Sequence, residues 1–128
     1  MRKIKRLVPI ILSAVLLTAC APANSLGYKQ ISMSEAVKMM ETEKNYIILD
    51  VRRADEFAAG HIPGAINVAN EVIGTEEIPA LPDKSQLILV YCRSGRRSKE
   101  ASEKLVKLGY TNIVEFGGIL DWKGEIEK

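Results

Sequence analysis

Two stretches of this chain are apolar without alternation: Tyr46–Val51, reading Y-I-I-L-D-V, and Leu87–Tyr91, reading L-I-L-V-Y. A strand with one wet face alternates. A run that is apolar at nearly every position suits a strand covered on both faces, as in a parallel sheet. Parallel strands need crossover connections, and helical patterns stand between the strand candidates. Ser32-Met33-Ser34-Glu35 fits a capping box, and Met33, Ala36, Val37 and Met40 follow at helical spacing. These methionines read as core packing. Ser98–Leu108 carries Ala101, Leu105 and Leu108 on one stripe, with Glu100–Lys104 and Glu103–Lys107 as i,i+4 pairs on the wet side. Gly109 stops this helix as its C′ residue, and Tyr110 closes over Leu105. Tyr28–Ile31, Ala65–Val68 and Thr111–Phe116 are further strand candidates. The expectation is an α/β fold with a parallel sheet, one domain and one modest core in 128 residues.

Charge and cysteine usage remove several function classes. Four of the 18 basic residues, and no acid, lie in the first nineteen positions, so the rest of the chain holds two more acids than bases. The formal +2 belongs to the leader, which argues against nucleic acid as a partner. Two cysteines and one histidine are too few for a metal site of four cysteines, of two cysteines with two histidines, or of three histidines. No C-x-x-C dithiol is present. No cofactor is expected.

Met1–Arg6 is a basic stub, and Leu7–Ala19 is thirteen residues without a charge, short for a spanning helix. Basic stub, short apolar run and small residues before a cut site make an export signal. The site Leu17-Thr18-Ala19-Cys20 resembles the lipobox of bacterial lipoproteins. That resemblance implies removal of residues 1–19 and a diacylglyceryl group on Cys20. It also implies a lipid-anchored, extracytoplasmic place in the bacterial cell envelope. A plain signal peptide and an uncleaved anchor are the other readings. Residues 20–27 then form the lipidated N-terminus and a tether, A-P-A-N-S-L-G after the cysteine. Residues 28–125 form the domain and 126–128 a C-terminal tail.

The chemistry concentrates in Cys92-Arg93-Ser94-Gly95-Arg96-Arg97-Ser98, after one strand candidate and before a helix. Ligands of open α/β sheets bind beyond the carboxyl ends of the strands. A loop that curls into a helix N-terminus turns backbone N–H groups and the positive end of the dipole toward one point. Nearby arginines add full charges, and such surroundings favour a reactive thiolate. Gly95 supplies a turn or a close ligand approach. The bland reading, a buried inert cysteine with solvated arginines, leaves this arrangement unexplained.

The loop C-R-S-G-R-R-S resembles the active-site loop of single-domain rhodanese-like sulfurtransferases. Leu49-Asp50-Val51-Arg52, Glu56-Phe57 and Gly60-His61-Ile62-Pro63-Gly64-Ala65-Ile66-Asn67-Val68 are similar to a second family pattern, and Phe116-Gly117-Gly118-Ile119 with Trp122 to a third. The resemblance implies a three-layer α/β/α fold with a five-stranded parallel sheet in the order 3-2-4-5-1. It implies Cys92 as the nucleophile that takes the outer sulfur of thiosulfate, and release of sulfite. The resulting persulfide passes its sulfur to cyanide or a thiol. Arg93, Ser94, Gly95, Arg96, Arg97 and Ser98 become the substrate-binding loop, with Arg97 closing it and Arg93 at its mouth. Asp50 and Arg52 are expected to support it, Asp50 by accepting from loop backbone or an arginine. Arg52 and Glu56 are candidates for a local pair. His61 is expected to fix a turn, Trp122 to pack, and Glu76–Glu77 to lie in a wet loop.

Loop size separates two chemistries on this fold. Related phosphatases and arsenate reductases carry C-x5-R, whereas here the arginine of C-x4-R is Arg97 and Ser98 takes the next position. The smaller ring suits one sulfur better than a tetrahedral oxyanion. Rhodanese-like binding modules usually lack the cysteine; Cys92 is present. An envelope persulfide carrier for a partner protein, a polysulfide-handling protein and a non-catalytic rhodanese-like binding module are the alternatives. The partners expected are a small sulfur donor, a thiol or cyanide acceptor and, through lipid, a membrane; the chain is expected to be a monomer.

Overall fold

A computed structural model describes residues 26–128. The leader, Cys20 and most of the tether lie outside the described residues. The elements run β1 (Lys29–Gln30), α1 (Met33–Thr42), β2 (Tyr46–Asp50), α2 (Ala54–Ala59), β3 (Ile66–Asn67), β4 (Leu87–Cys92), α3 (Arg96–Lys107) and β5 (Ile113–Gly118). Short 3-10 turns at Asn70–Val72 and Ile119–Asp121 complete them. The five strands form one parallel sheet in the order β1-β5-β4-β2-β3, the order expected.

Strand periodicity divides the core in two. Leu49, Ile88, Val90, Cys92 and Ile113 point to the face covered by Ala101 and Leu105 of α3. Ile48, Leu89, Tyr91, Val114 and Phe116 point to the opposite face, against Ala36 of α1 and Ile62. Both central strands are therefore apolar at successive positions. The layers are helix, sheet, helix.

The helix ends follow local chemistry. The Ser32 hydroxyl accepts from Glu35 N at 3.1 Å, and Glu35 Oε1 accepts from Ser32 N at 2.9 Å, which closes the capping box. At the end of α3, Tyr110 N donates to Leu105 O and Gly109 N to Val106 O, with Gly109 at φ 103°. This is a Schellman motif, as Gly109 and Tyr110 led us to expect.

Three details differ from expectation. α3 starts at Arg96, because Gly95 at φ 122° serves as its N-cap without a side-chain cap. Ser98 thus lies in the first turn rather than opening the helix. Glu100 and Lys104 do not pair; Glu100 bonds Arg96 and the Asn70 side chain, while Lys104 bonds Asn70 O and Oδ1. The stretch read as a tail is built into the domain: Glu127 and His61 exchange backbone hydrogen bonds at 2.9 Å, and Glu127 Oε1 accepts from Gly64 N.

Candidate active site

β4 is the central strand, and its last residue is Cys92. Strand parity turns Cys92 toward α3, so its sulfur arrives beneath the N-terminus of that helix. The side chain is 1% exposed. Gly95 N donates to Sγ at 3.0 Å. Within α3 the first-turn N–H groups have no intrahelical acceptors and share the positive end of the dipole. The Ser98 hydroxyl lies 3.5 Å from Sγ, on the buried side of the loop.

A cavity of about 460 Å³ opens over this sulfur, lined by Cys92, Arg93, Ser94, Arg96 and Arg97 together with Arg53 and Glu71. The arginines are not equivalent. Arg96 pairs with Glu100 at 3.0 Å, and Arg53 with Asp55 at 3.0 Å, both on the surface. Arg97 commits both terminal nitrogens to Glu56, at 2.7 and 3.1 Å. That bond holds the Glu56 carboxyl well below its ordinary 4.5, at about 2. Among the described residues Arg93 forms no ion pair, and it is exposed at the mouth. It is the cation freest to meet an anionic substrate.

The loop is held from below by β5 and the 3-10 turn that follows it. Leu120 N donates to Arg93 O at 3.2 Å. A Cβ at Gly118 would run into the backbone carbonyl of Arg93 and the amide of Ser94, so only glycine fits. Cys92 pairs in register with Gly118 after an irregularity in the β4–β5 ladder, where Gly117 takes φ 95°. The Gly-Gly motif is thus the floor on which the loop rests.

Asp50 and Arg52 support the site at one remove. Asp50 accepts no bond from the loop, because parity sends it to the other face of the sheet from Cys92. There it accepts from Tyr91 Oη at 2.6 Å and from Arg52 through its backbone N, Nε and Nη2. Burial, then the bond to Asp50, pushes the Tyr91 phenol upward. The residue before Cys92 is thereby anchored to β2. The expected Arg52–Glu56 pair does not form: Arg52 turns inward to Asp50 and Gly60 O, and Glu56 outward to Arg97. His61 stacks on Phe57 at 3.7 Å and reaches Phe57 O through Nδ1, a turn-fixing position outside the cavity. Trp122 packs against the α1-side core and donates to Glu125 O. Glu77 is exposed and pairs with Lys84.

Sequence reasoning missed Arg53, Glu56 and Glu71 as neighbours of the loop, and Glu115 beneath it. Glu56 stood in a recognised motif, but its partner is 41 positions away in sequence. Glu115 sits inside the run I-V-E-F and gave one signal, an acid where a buried strand was expected.

A thiol at the end of a central parallel strand, under a helix N-terminus and beside arginines, has the surroundings that favour a reactive cysteine. The Rhodanese-like domain model matches residues 32–125. The chain is 37% identical over 73 residues to the thiosulfate sulfurtransferase PspE of Escherichia coli (57% of this chain, 70% of that protein). It is 37% identical over 99 residues to a putative mitochondrial thiosulfate sulfurtransferase of Schizosaccharomyces pombe (66% and 68%). A solved structure described as a rhodanese with anions from E. coli superimposes with a TM-score of 0.59 at 34% identity, covering 65% of this chain and 98% of that one. The chain belongs to the rhodanese-like domain family.

Proposed function

We propose that this protein moves a sulfane sulfur from thiosulfate, or a donor like it, to a thiophilic acceptor through a persulfide on Cys92. The observation that carries the reading is the placement of Cys92 Sγ at the floor of the cavity, accepting Gly95 N–H under the α3 N-terminus with Arg93 at the mouth. The Cys92 thiolate attacks the outer sulfur of thiosulfate. One S–S bond forms, the bond to the sulfonate sulfur breaks, and sulfite leaves with its electron pair. The product is Cys92–S–S⁻, an anion that the same N–H groups and dipole stabilise. A cyanide or thiolate acceptor then attacks the terminal sulfur and returns the Cys92 thiolate. Cys92 is the only cysteine of residues 21–128, so no second thiol of the domain resolves the persulfide and the acceptor comes from outside.

Arg93, Ser94, Gly95 and Arg96 carry the substrate side of the loop. Arg97 lines it as well, and its bond to Glu56 makes it chiefly a strut. Ser98 serves from beneath. Replacing Cys92 by serine is expected to abolish thiocyanate formation from thiosulfate and cyanide; undiminished turnover in that variant contradicts the proposal. We further propose that the mature chain begins at Cys20, lipidated and extracytoplasmic, a reading supported by L-T-A-C after an uncharged run. A membrane through that lipid, the sulfur donor and the acceptor are its proposed partners.

A further inference from the structure

Behind the loop lies a carboxylate that the sulfur-transfer steps do not use. Glu115 on β5 is 2% exposed, and among the described residues it forms no ion pair. Its Oε2 accepts the Ser98 hydroxyl at 2.6 Å and Gly117 N–H at 2.8 Å. Ser98 Oγ is in turn 3.5 Å from Cys92 Sγ. The three side chains form a buried line from sulfur to hydroxyl to carboxylate.

A hydroxyl has one proton to give. Gly95 O at 2.9 Å and Gly117 O at 3.3 Å compete for it, but the anionic oxygen at 2.6 Å is the strongest acceptor. With that proton committed to Glu115, Ser98 offers Cys92 only a lone pair, which suits S–H and not S⁻. Ser98 can turn its proton toward sulfur once Oε2 is itself protonated and donates to Oγ.

We propose that Glu115 is a positioning residue that, through Ser98, governs the proton of Cys92. As the thiolate forms, the S–H proton passes to Ser98 Oγ and the Ser98 proton passes to Glu115 Oε2. The S–H bond and the old Ser98 O–H bond break, and a new O–H bond forms on each of Ser98 and Glu115. The buried line carries one negative charge throughout, on the carboxylate at rest and on sulfur when reactive. On the sulfur-transfer reading, that charge sits on the terminal sulfur after loading, and a neutral Glu115 then spares the persulfide a repulsion. The other charged and titratable groups around the line are Arg53, Glu71, Arg93, Arg96 and Arg97 at the cavity, Tyr28 just before β1, and Glu103 of α3, which acts on Tyr28 as Glu115 does.

The sign of the effect separates this role from a structural one. Glu115→Gln removes the competing negative charge; its amide oxygen keeps the Gly117 N–H and, being neutral, holds the Ser98 proton less tightly, which frees the hydroxyl for sulfur. The pH profile of Cys92 alkylation by iodoacetamide is expected to move about one pH unit lower, with a rate near pH 6 raised severalfold. The same substitution in a Ser98→Ala background is expected to move it less. A folded Glu115→Gln protein whose profile stays in place, or moves higher, overturns the proposal and leaves Glu115 a structural acceptor for Ser98 and Gly117 N–H. Alkylation needs no sulfur donor, so this arm decides Glu115 even if sulfur transfer fails. Where the variant does not fold, infrared difference spectra of the wild type decide: a protonated-carboxyl band is expected on persulfide loading, verified by mass. A loaded protein without that band contradicts the relay.

Discussion

At the scale of single residues, the site depends on one missing side chain as much as on any present. Gly118 lies against the Arg93–Ser94 peptide, and a methyl group there forces the loop backbone to shift. Gly118→Ala is expected to keep a native-like circular dichroism spectrum and lose about 100-fold in thiocyanate formation, since small misplacements of reacting groups cost that much. Wild-type turnover in that variant contradicts the view that the glycine pair is the loop floor. Cys92 and its loop were legible in the sequence because their chemistry is local: strand end, cysteine, glycine, helix start. Asp50 was legible as a support that accepts from an arginine, but not in its bond to Tyr91. Its place at a strand end beside the loop suggested contact with loop backbone, whereas strand parity places Asp50 and Cys92 on opposite faces of one sheet. Glu115 was not legible, because its meaning comes from Ser98, seventeen positions away.

Among the elements, the strands and long helices followed from their patterns, while α2 did not. Six residues, Ala54–Ala59, are too few to show an apolar period, and none of them is buried. α3 begins two residues before the expected Ser98 because Gly95, at φ 122°, is its N-cap and the loop passes directly into the helix. What α2 contributes is a tie to α3. Glu56 and Arg97 face each other across it with side chains 18% exposed each. Because the Glu56 carboxyl is held at about 2 in the folded chain against an ordinary 4.5, its stabilising effect is complete above about pH 4.5. It is lost as the pH falls toward about 2. In thermal unfolding, wild type is expected to exceed Glu56→Gln at neutral pH, with the gap closing across that acid window. A gap that does not change with pH shows that the pair adds nothing as an ion pair.

For the molecule as a whole, the parallel order β1-β5-β4-β2-β3 puts the cysteine strand at the centre and gathers the loop, β5 and α2 at one end of the sheet. Among the described residues no helix is long and apolar enough to cross a membrane. In the proposal above, attachment rests on Cys20. Cys20→Ala is expected to abolish metabolic labelling by an alkyne fatty acid in a bacterial host and to leave the precursor unprocessed. Normal labelling and processing reject the lipid anchor and leave the sulfur chemistry untouched. That chemistry is tested most directly by intact-mass and peptide mass spectrometry of residues 26–128 after incubation with thiosulfate. The account predicts one added sulfur, located on Cys92, removed by cyanide and absent from Cys92→Ser. A folded domain that gains no sulfur on Cys92, while hydrolysing an aryl phosphate through that residue, contradicts it.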